Sequence, residues 1–180
     1  LHLHTDNSDG LRSPLEAARA YEKAGYDFIA ITDHNTLTPL PQSPGRLLIL
    51  PGVEINQEPG QEEDIHVIAV GDTPARLSGL DPALPLPARL ARLAQGGAAC
   101  FLAHPHWSLN RVSTILALPG LCGAEIYNSV SRPPYNPDRA DATHILDLAA
   151  REGRLLPTIA ADDSHFYGAE FAGGFIYAQA

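Results

Sequence analysis

DFIAITDHN, residues 27–35, carries the pattern that decides the architecture. Phe28 to Ile31 form a short apolar run of strand length, and Thr32, Asp33, His34 and Asn35 follow without a break. A buried strand that ends in a carboxylate and an imidazole delivers both to one rim of a sheet. Just upstream, SPLEAARAYEKAG (13–25) reads as a helix. Ser13 is its N-cap, Pro14 takes the first turn, Glu16 completes a capping box and Gly25 closes it.

The same alternation continues along the chain. Strands are expected at LHLH (1–4), RLLILPGVEI (46–55), DIHVIAVG (64–71), AACFLAHPHW (98–107), CGAEIYN (122–128) and LLPTIAADDSH (155–165). GGFIYAQA (173–180) reads as one more strand at an edge. PARLARLAQGG (87–97) is helix-like, a short segment occupies 111–118, and a helix capped near Asn136 runs through Arg151 to Gly153. Alternating strands and helices predict an α/β fold with a mostly parallel sheet, closed into a small seven-stranded barrel. Only NQEPGQEED (56–64) separates two of the strands. That is too short for a crossover helix, so an antiparallel hairpin is expected, with Glu54 and His66 at the same end.

Bulk properties narrow the function. The chain has 180 residues, enough for a single domain over 1–180 with a sizeable core. Its net charge is −9, with 12 basic residues and no basic cluster, which argues against a broad nucleic-acid-binding surface. No apolar run approaches the roughly 20 residues that span a bilayer. Cys100 and Cys122 lie in apolar runs and read as buried thiols of a reduced, cytoplasmic protein. There is no methionine, so the native product is expected to extend before Leu1.

Polar residues gather where strands end. His34 follows FIAIT, Glu54 follows LLILPGV, His104 follows CFLA, and Asp163 and His165 follow LPTIAA. In parallel α/β barrels that rim is the C-terminal mouth, where chemistry is found. His2 and His4 are two residues apart, so an extended segment puts both rings on one side, and Asp163 with His165 repeats the spacing. His144, in the middle of a helix, reads as a bystander. Imidazoles with carboxylates suit zinc, iron or manganese, and the absence of cysteine from the set argues against a closed structural zinc site.

HLHTDNSDG, ITDHN, PGVEI, DIHVIAVG, LAHPHW, GAEIYN and ADDSH, in this order, resemble the polymerase and histidinol phosphatase (PHP) family over nearly the whole chain. LAHPHW, EIYNS and ADDSH followed by GGFIYA resemble the branch with carbaryl-hydrolase-like metallohydrolases. The resemblance implies a distorted seven-stranded β/α barrel, TIM-like, holding two or three divalent ions. It implies that His2, His4 and Asp163 bind one ion, with Glu54 bridging to a second completed by His66 and His104. Asp9, His34 and His165 would hold a third. The family often has histidine where this chain has Asp9, and an oxygen ligand there favours manganese or iron.

Three divalent ions with three carboxylates would leave a local charge of about +3, enough to bind a phosphate dianion without a basic patch. The expected reaction is phosphoester hydrolysis of a small phosphorylated substrate by metal-activated water attacking in line. His106 is the candidate proton donor to the leaving group, and Arg132 the candidate substrate-anion ligand. Asp33 and Asp162 are expected to orient neighbouring ligands, and Glu125 and Asn128 face the same region. Hydrolysis of a carbonyl ester, carbamate or amide is the alternative, with Trp107, Tyr127 and Tyr135 as an apolar wall. A third possibility is a non-catalytic, metal-stabilised module.

Overall fold

Ser13 opens the first helix, α1 (Pro14–Lys23), through the reciprocal bonds of a capping box with Glu16. At the other end the Gly25 amide bonds Glu22 O and the Tyr26 amide bonds Tyr21 O, with Gly25 at φ +89°. This Schellman-type stop turns the chain directly into β1 (Phe28–Ile31). The computed structural model describes residues 1–56, 63–71, 73–77, 81 and 83–179.

Five further strands follow: β2 (Leu48–Asn56), β3 (His66–Val70), β4 (Ala99–Leu102), β5 (Leu121–Asn128) and β6 (Thr158–Ala161). They form one sheet in sequence order, β1 to β6. β3 runs antiparallel to both β2 and β4, while the remaining pairs are parallel. This single reversed strand is the expected hairpin. It sets Asn56 opposite His66, so the beginning of β3 meets the rim where its neighbours end. Residues 57–62 of the connecting loop lie outside the described residues.

Helices α2 (Pro74–Leu77), α3 (Leu86–Gln95), α4 (Val112–Ala117) and α5 (Thr143–Arg151) complete the fold. The larger apolar cluster joins Val53, Val67, Cys100 and Leu102 of the sheet to Leu90, Ile115 and Ala149 of the helices. A second cluster seats Ala17, Ala18 and Tyr21 of α1 against Leu3, Ile29, Ile31 and Phe166. No helix among the described residues is long and apolar enough to cross a membrane.

Four expectations need correction. The sheet has six strands among the described residues, where seven were expected. The missing one is the opening segment, which still spans the gap between β6 and β1. His4 N–H donates to Ser164 O at 2.9 Å, Asp163 N–H to His2 O at 3.1 Å, and Thr32 N–H to Leu3 O at 3.0 Å. On the β1 side the Leu3 amide bonds the Thr32 hydroxyl at 3.0 Å instead of a backbone carbonyl, so a ladder does not form. Residues 173–179 form no strand; Gly174 N–H is drawn 2.6 Å from Asp162 Oδ1, and Ala180 lies outside the described residues. α5 begins at Thr143 because the Asp141 carboxylate accepts the Thr143 amide at 2.7 Å, whereas Asn136 bonds Trp107 and Val130. Cys100 is buried as expected, but Cys122 is exposed.

Candidate metal centre

Seven stretches of chain deliver His, Asp and Glu side chains to one rim of the sheet, in three groups. The innermost joins His2, His4, Glu54 and Asp163, all buried. His2 Nε2 and His4 Nε2 lie 3.3 and 3.2 Å from Glu54 Oε2, and 3.2 and 3.0 Å from Asp163 Oδ1. The two ring nitrogens are 3.2 Å from each other. Glu54 turns its second oxygen to the next group, with Oε1 2.8 Å from His66 Nδ1 and 3.2 Å from His104 Nε2. In the outermost group Asp9 Oδ2 lies 3.5 Å from His34 Nε2 and 3.4 Å from His165 Nε2. His4 belongs to this group as well, with Nδ1 3.7 Å from Asp9 Oδ1.

The residues present fit a cation. Glu54 Oε2 and Asp163 Oδ1 are buried without a hydrogen bond of acceptable geometry, although imidazole nitrogens crowd both. Buried carboxylate oxygens in that state need another partner. Nitrogen and oxygen ligands about 2.0–2.1 Å from a shared ion stand roughly 2.9–3.4 Å apart, in octahedral or tetrahedral arrangement. The inner group has this spacing.

Electrostatics point the same way. Burial opposes a charge on His2, His34, His66 and His165, but the adjoining carboxylates outweigh it and hold all four above the ordinary histidine range. His34 is pushed up to about 10 by Asp9 and Glu54. Burial likewise works against ionised Glu54, Asp163 and Asp9, yet the surrounding imidazoles keep each well below the usual carboxylate range. Positive charge is therefore strongly favoured at this rim. Protons and metal ions compete for it.

A supporting layer fixes the rings. His2 Nδ1 faces Glu125 Oε1 at 2.8 Å, His34 Nδ1 faces Asn56 Oδ1 at 2.8 Å, and His104 Nδ1 faces Ser108 Oγ at 3.0 Å. His165 Nδ1 donates to Asp163 O at 2.8 Å. Such partners set which nitrogen is free to ligate. Asp33 accepts the Thr5 amide and the Thr5, Ser8 and Thr38 hydroxyls, anchoring the loop that carries Asp9. Gly10 allows that loop to close, since a Cβ there would lie 2.5 Å from the His4 carbonyl carbon. Asp162 accepts from Tyr21 OH and the Ala172 and Gly174 amides, bracing the segment after β6. His104 and Asp163 adopt positive φ of 27° and 53°, a strained backbone of the kind that clusters at working sites.

The nine residues named as metal ligands thus lie together. His106 and Arg132 do not join them. His106 is exposed, with Nδ1 donating to Asp141 O at 2.6 Å, and Arg132 Nη2 donates to Ala169 O at 3.2 Å. A cavity of about 220 Å3 opens beside the cluster, with Trp107, Val130, Ser131, Asn136 and Tyr167 in its wall. Tyr127 and Tyr135 are not in that wall, whereas Tyr167 stacks on His165 with ring centres 5.2 Å apart. Sequence reasoning missed Tyr167 and Asn136. Tyr167 carried one signal, the two-residue spacing from His165. His144 is exposed on α5.

No protein-family model matches the chain, and no curated protein matches it. Solved structures do share its fold. An amidohydrolase from Chromobacterium violaceum, with bound sulfate and no metal, superposes with a TM-score of 0.65 at 17% identity, over 91% of this chain and 86% of that one. A two-domain Bacteroides vulgatus protein, containing a predicted PHP-like metal-dependent phosphoesterase, gives 0.63 at 18% identity, over 91% of this chain and 50% of its own. A Bifidobacterium adolescentis protein described by inference as a metal-dependent phosphoesterase gives 0.62 at 18% identity, over 97% and 89%.

Proposed function

We propose that the chain is a metal-dependent hydrolase of the PHP kind, acting on a small phosphoester. The observation that carries this reading is the sharing of ligands: Glu54 belongs to two of the three groups and His4 to two. Isolated polar residues at a rim have no reason to share partners in this way. His2, His4, Glu54 and Asp163 would hold one divalent ion, Glu54, His66 and His104 a second, and Asp9, His34 and His165, beside His4, a third. Zinc, manganese and iron all suit these donors.

Divalent ions there would supply Lewis acidity, an activated water and compensation for charge developing on the substrate. The chain's own part is to hold the ligands rigid and to shape the cavity. Glu125 keeps the His2 proton on Nδ1, so that Nε2 faces Glu54 and Asp163. Trp107 donates to Asn136 Oδ1 at 2.8 Å, and Asn136 Nδ2 donates to Val130 O at 2.8 Å, which ties the two flanking loops into one wall. His106 and Arg132 each give one donor to a backbone carbonyl and neither lines the cavity, so proton donation or anion binding by them would require the side chain to be brought to the substrate.

A second reading has an observation in its favour. The described wall contains no lysine or arginine but does contain Trp107 and Tyr167, surroundings suited to a neutral carbonyl ester, carbamate or amide. One experiment tests both. Metal content is measured after loading with zinc, manganese or iron, and the protein is assayed on p-nitrophenyl phosphate, bis(p-nitrophenyl) phosphate and 1-naphthyl N-methylcarbamate. Phosphoester turnover that is lost in folded His34→Ala and Asp163→Ala supports the main reading. Turnover of the carbamate alone supports the second, and retention of metal with no turnover supports a non-catalytic module. Failure to retain metal overturns all three.

A further inference from the structure

A second cavity, about 400 Å3, includes none of the metal-ligand cluster in its lining; it lies where α3 begins, against α4. We propose that it binds a small organic carboxylate with an apolar tail, the charge being met by Arg89. Its volume is typical of small-molecule sites, which span roughly 300–1,000 Å3. Ile65, Pro85, Ala117 and Leu118 make its walls largely apolar, and Arg89 is the one charged side chain among its described lining.

Arg89 is 4% exposed. α3 carries it with Leu86, Leu90 and Leu93 on the buried side of the helix. No carboxylate of the described residues pairs with it. Among the described residues Nε has no hydrogen-bond partner, and Nη2 reaches only the Asn56 carbonyl at 3.4 Å. Glu63, the acidic group beside this wall, is taken by the Thr114 hydroxyl at 2.7 Å and by Arg111 at 3.3 Å. A buried guanidinium left in this state is costly, because burial removes its water and the described residues return only the Asn56 carbonyl. A leucine or methionine would serve the core better unless an anion completes the site.

The remaining features define that anion. Among the described residues the start of α3 leaves one amide, that of Leu86, without a bond, since Pro87 has no N–H and the Ala88 and Arg89 amides donate to Pro85 O, so the guanidinium is the group that meets the charge. A carboxylate matches the planar guanidinium fork. Apolar walls favour a hydrocarbon tail, and a sugar or a polyphosphate would leave polar groups facing them unpaired.

Calorimetric titration of the metal-loaded chain with hexanoate, 1-hexanol and acetate tests the assignment. Hexanoate is expected to bind saturably, one per chain, at least tenfold more tightly than 1-hexanol or acetate. Arg89→Met is expected to reduce hexanoate to the affinity of 1-hexanol, and Ala117→Trp, which fills the cavity, to abolish binding with the circular dichroism spectrum unchanged. Hexanoate held at the metal cluster would survive both substitutions, and that result overturns the proposal. So does equal binding of hexanoate and 1-hexanol by the unsubstituted chain. Should Arg89→Met not fold, retention of hexanoate binding by Ala117→Trp is sufficient to overturn it.

Discussion

Glu125 Oε1 stands 2.8 Å from His2 Nδ1, and both side chains are fully buried. The other Glu125 oxygen accepts the His104 amide and Asn128 Nδ2, each at 2.8 Å. One carboxylate therefore receives three donors and orients ligands of two different groups. Glutamine cannot replace it, since its NH2 would confront at least one donor across a buried contact. Glu125→Gln is expected to weaken metal binding by about 10–100-fold, the usual cost of losing such a support. Competition against a fluorescent chelator measures this, and unchanged affinity would remove Glu125 from the site.

The unbonded Glu54 Oε2 and Asp163 Oδ1 give metal removal a clear consequence for stability. A cation that satisfies them binds the folded chain alone. At a free concentration 100 times its Kd it adds about 2.7 kcal/mol. For a domain of this size that corresponds to roughly 5–10 °C in melting temperature. Chelation should lower the melting point by this amount, and zinc or manganese should restore it. A melting curve indifferent to chelator argues that no ion is held here.

Asp9 isolates the outermost group. It is half-exposed and belongs to the outermost group alone, so its loss should leave the fold and the other groups in place. Asp9→Ala is expected to reduce metal content after loading by about one equivalent per chain. Elemental analysis against protein concentration reads this directly. An unchanged content would confine metal binding to the groups joined by Glu54.

How much of this could be read from residues alone follows from range. Spacing two apart put His2 with His4, and Asp163 with His165, because a strand's alternation is local. Glu54 and His66 were paired for a similar reason, since the nine residues 56–64 between their strands cannot form a crossover. The double membership of His4 was not legible. It depends on what approaches each ring nitrogen, Glu54 and Asp163 on one side and Asp9 on the other. The wall of the cavity was equally hidden, because Asn136 and Tyr167 sit in loops placed by Trp107 and His165. The opening strand was overcalled because its pattern cannot reveal that Thr32 supplies a hydroxyl where a ladder needs a carbonyl.

Two glycines separate loop packing from backbone strain. Gly10 lies so close to His4 that a Cβ would overlap its carbonyl, while Gly153 has open space but φ +96°. Gly10→Ala should cost about 1–3 kcal/mol from overpacking and should also weaken metal binding, because the displaced loop carries Asp9. Gly153→Ala should cost about 1–2 kcal/mol from left-handed strain and leave metal affinity unchanged. Denaturant unfolding beside the chelator competition distinguishes them. Equal metal affinity in the two variants would show that the Gly10 loop does not position Asp9.

His106 and Arg132 give the sharpest test of which side chains act in turnover. A proton donor in the rate-limiting step contributes about 10²–10⁴-fold. His106 spends its Nδ1 on the Asp141 carbonyl, Arg132 spends Nη2 on the Ala169 carbonyl, and neither lines the cavity. His106→Ala and Arg132→Ala are accordingly expected to keep kcat/KM within about tenfold, against a loss of about 10²-fold or more in Asp163→Ala. A drop in kcat for His106→Ala confined to substrates with poor leaving groups would reverse this. It would mean that the ring reaches the substrate when it binds and gives a proton to the departing oxygen.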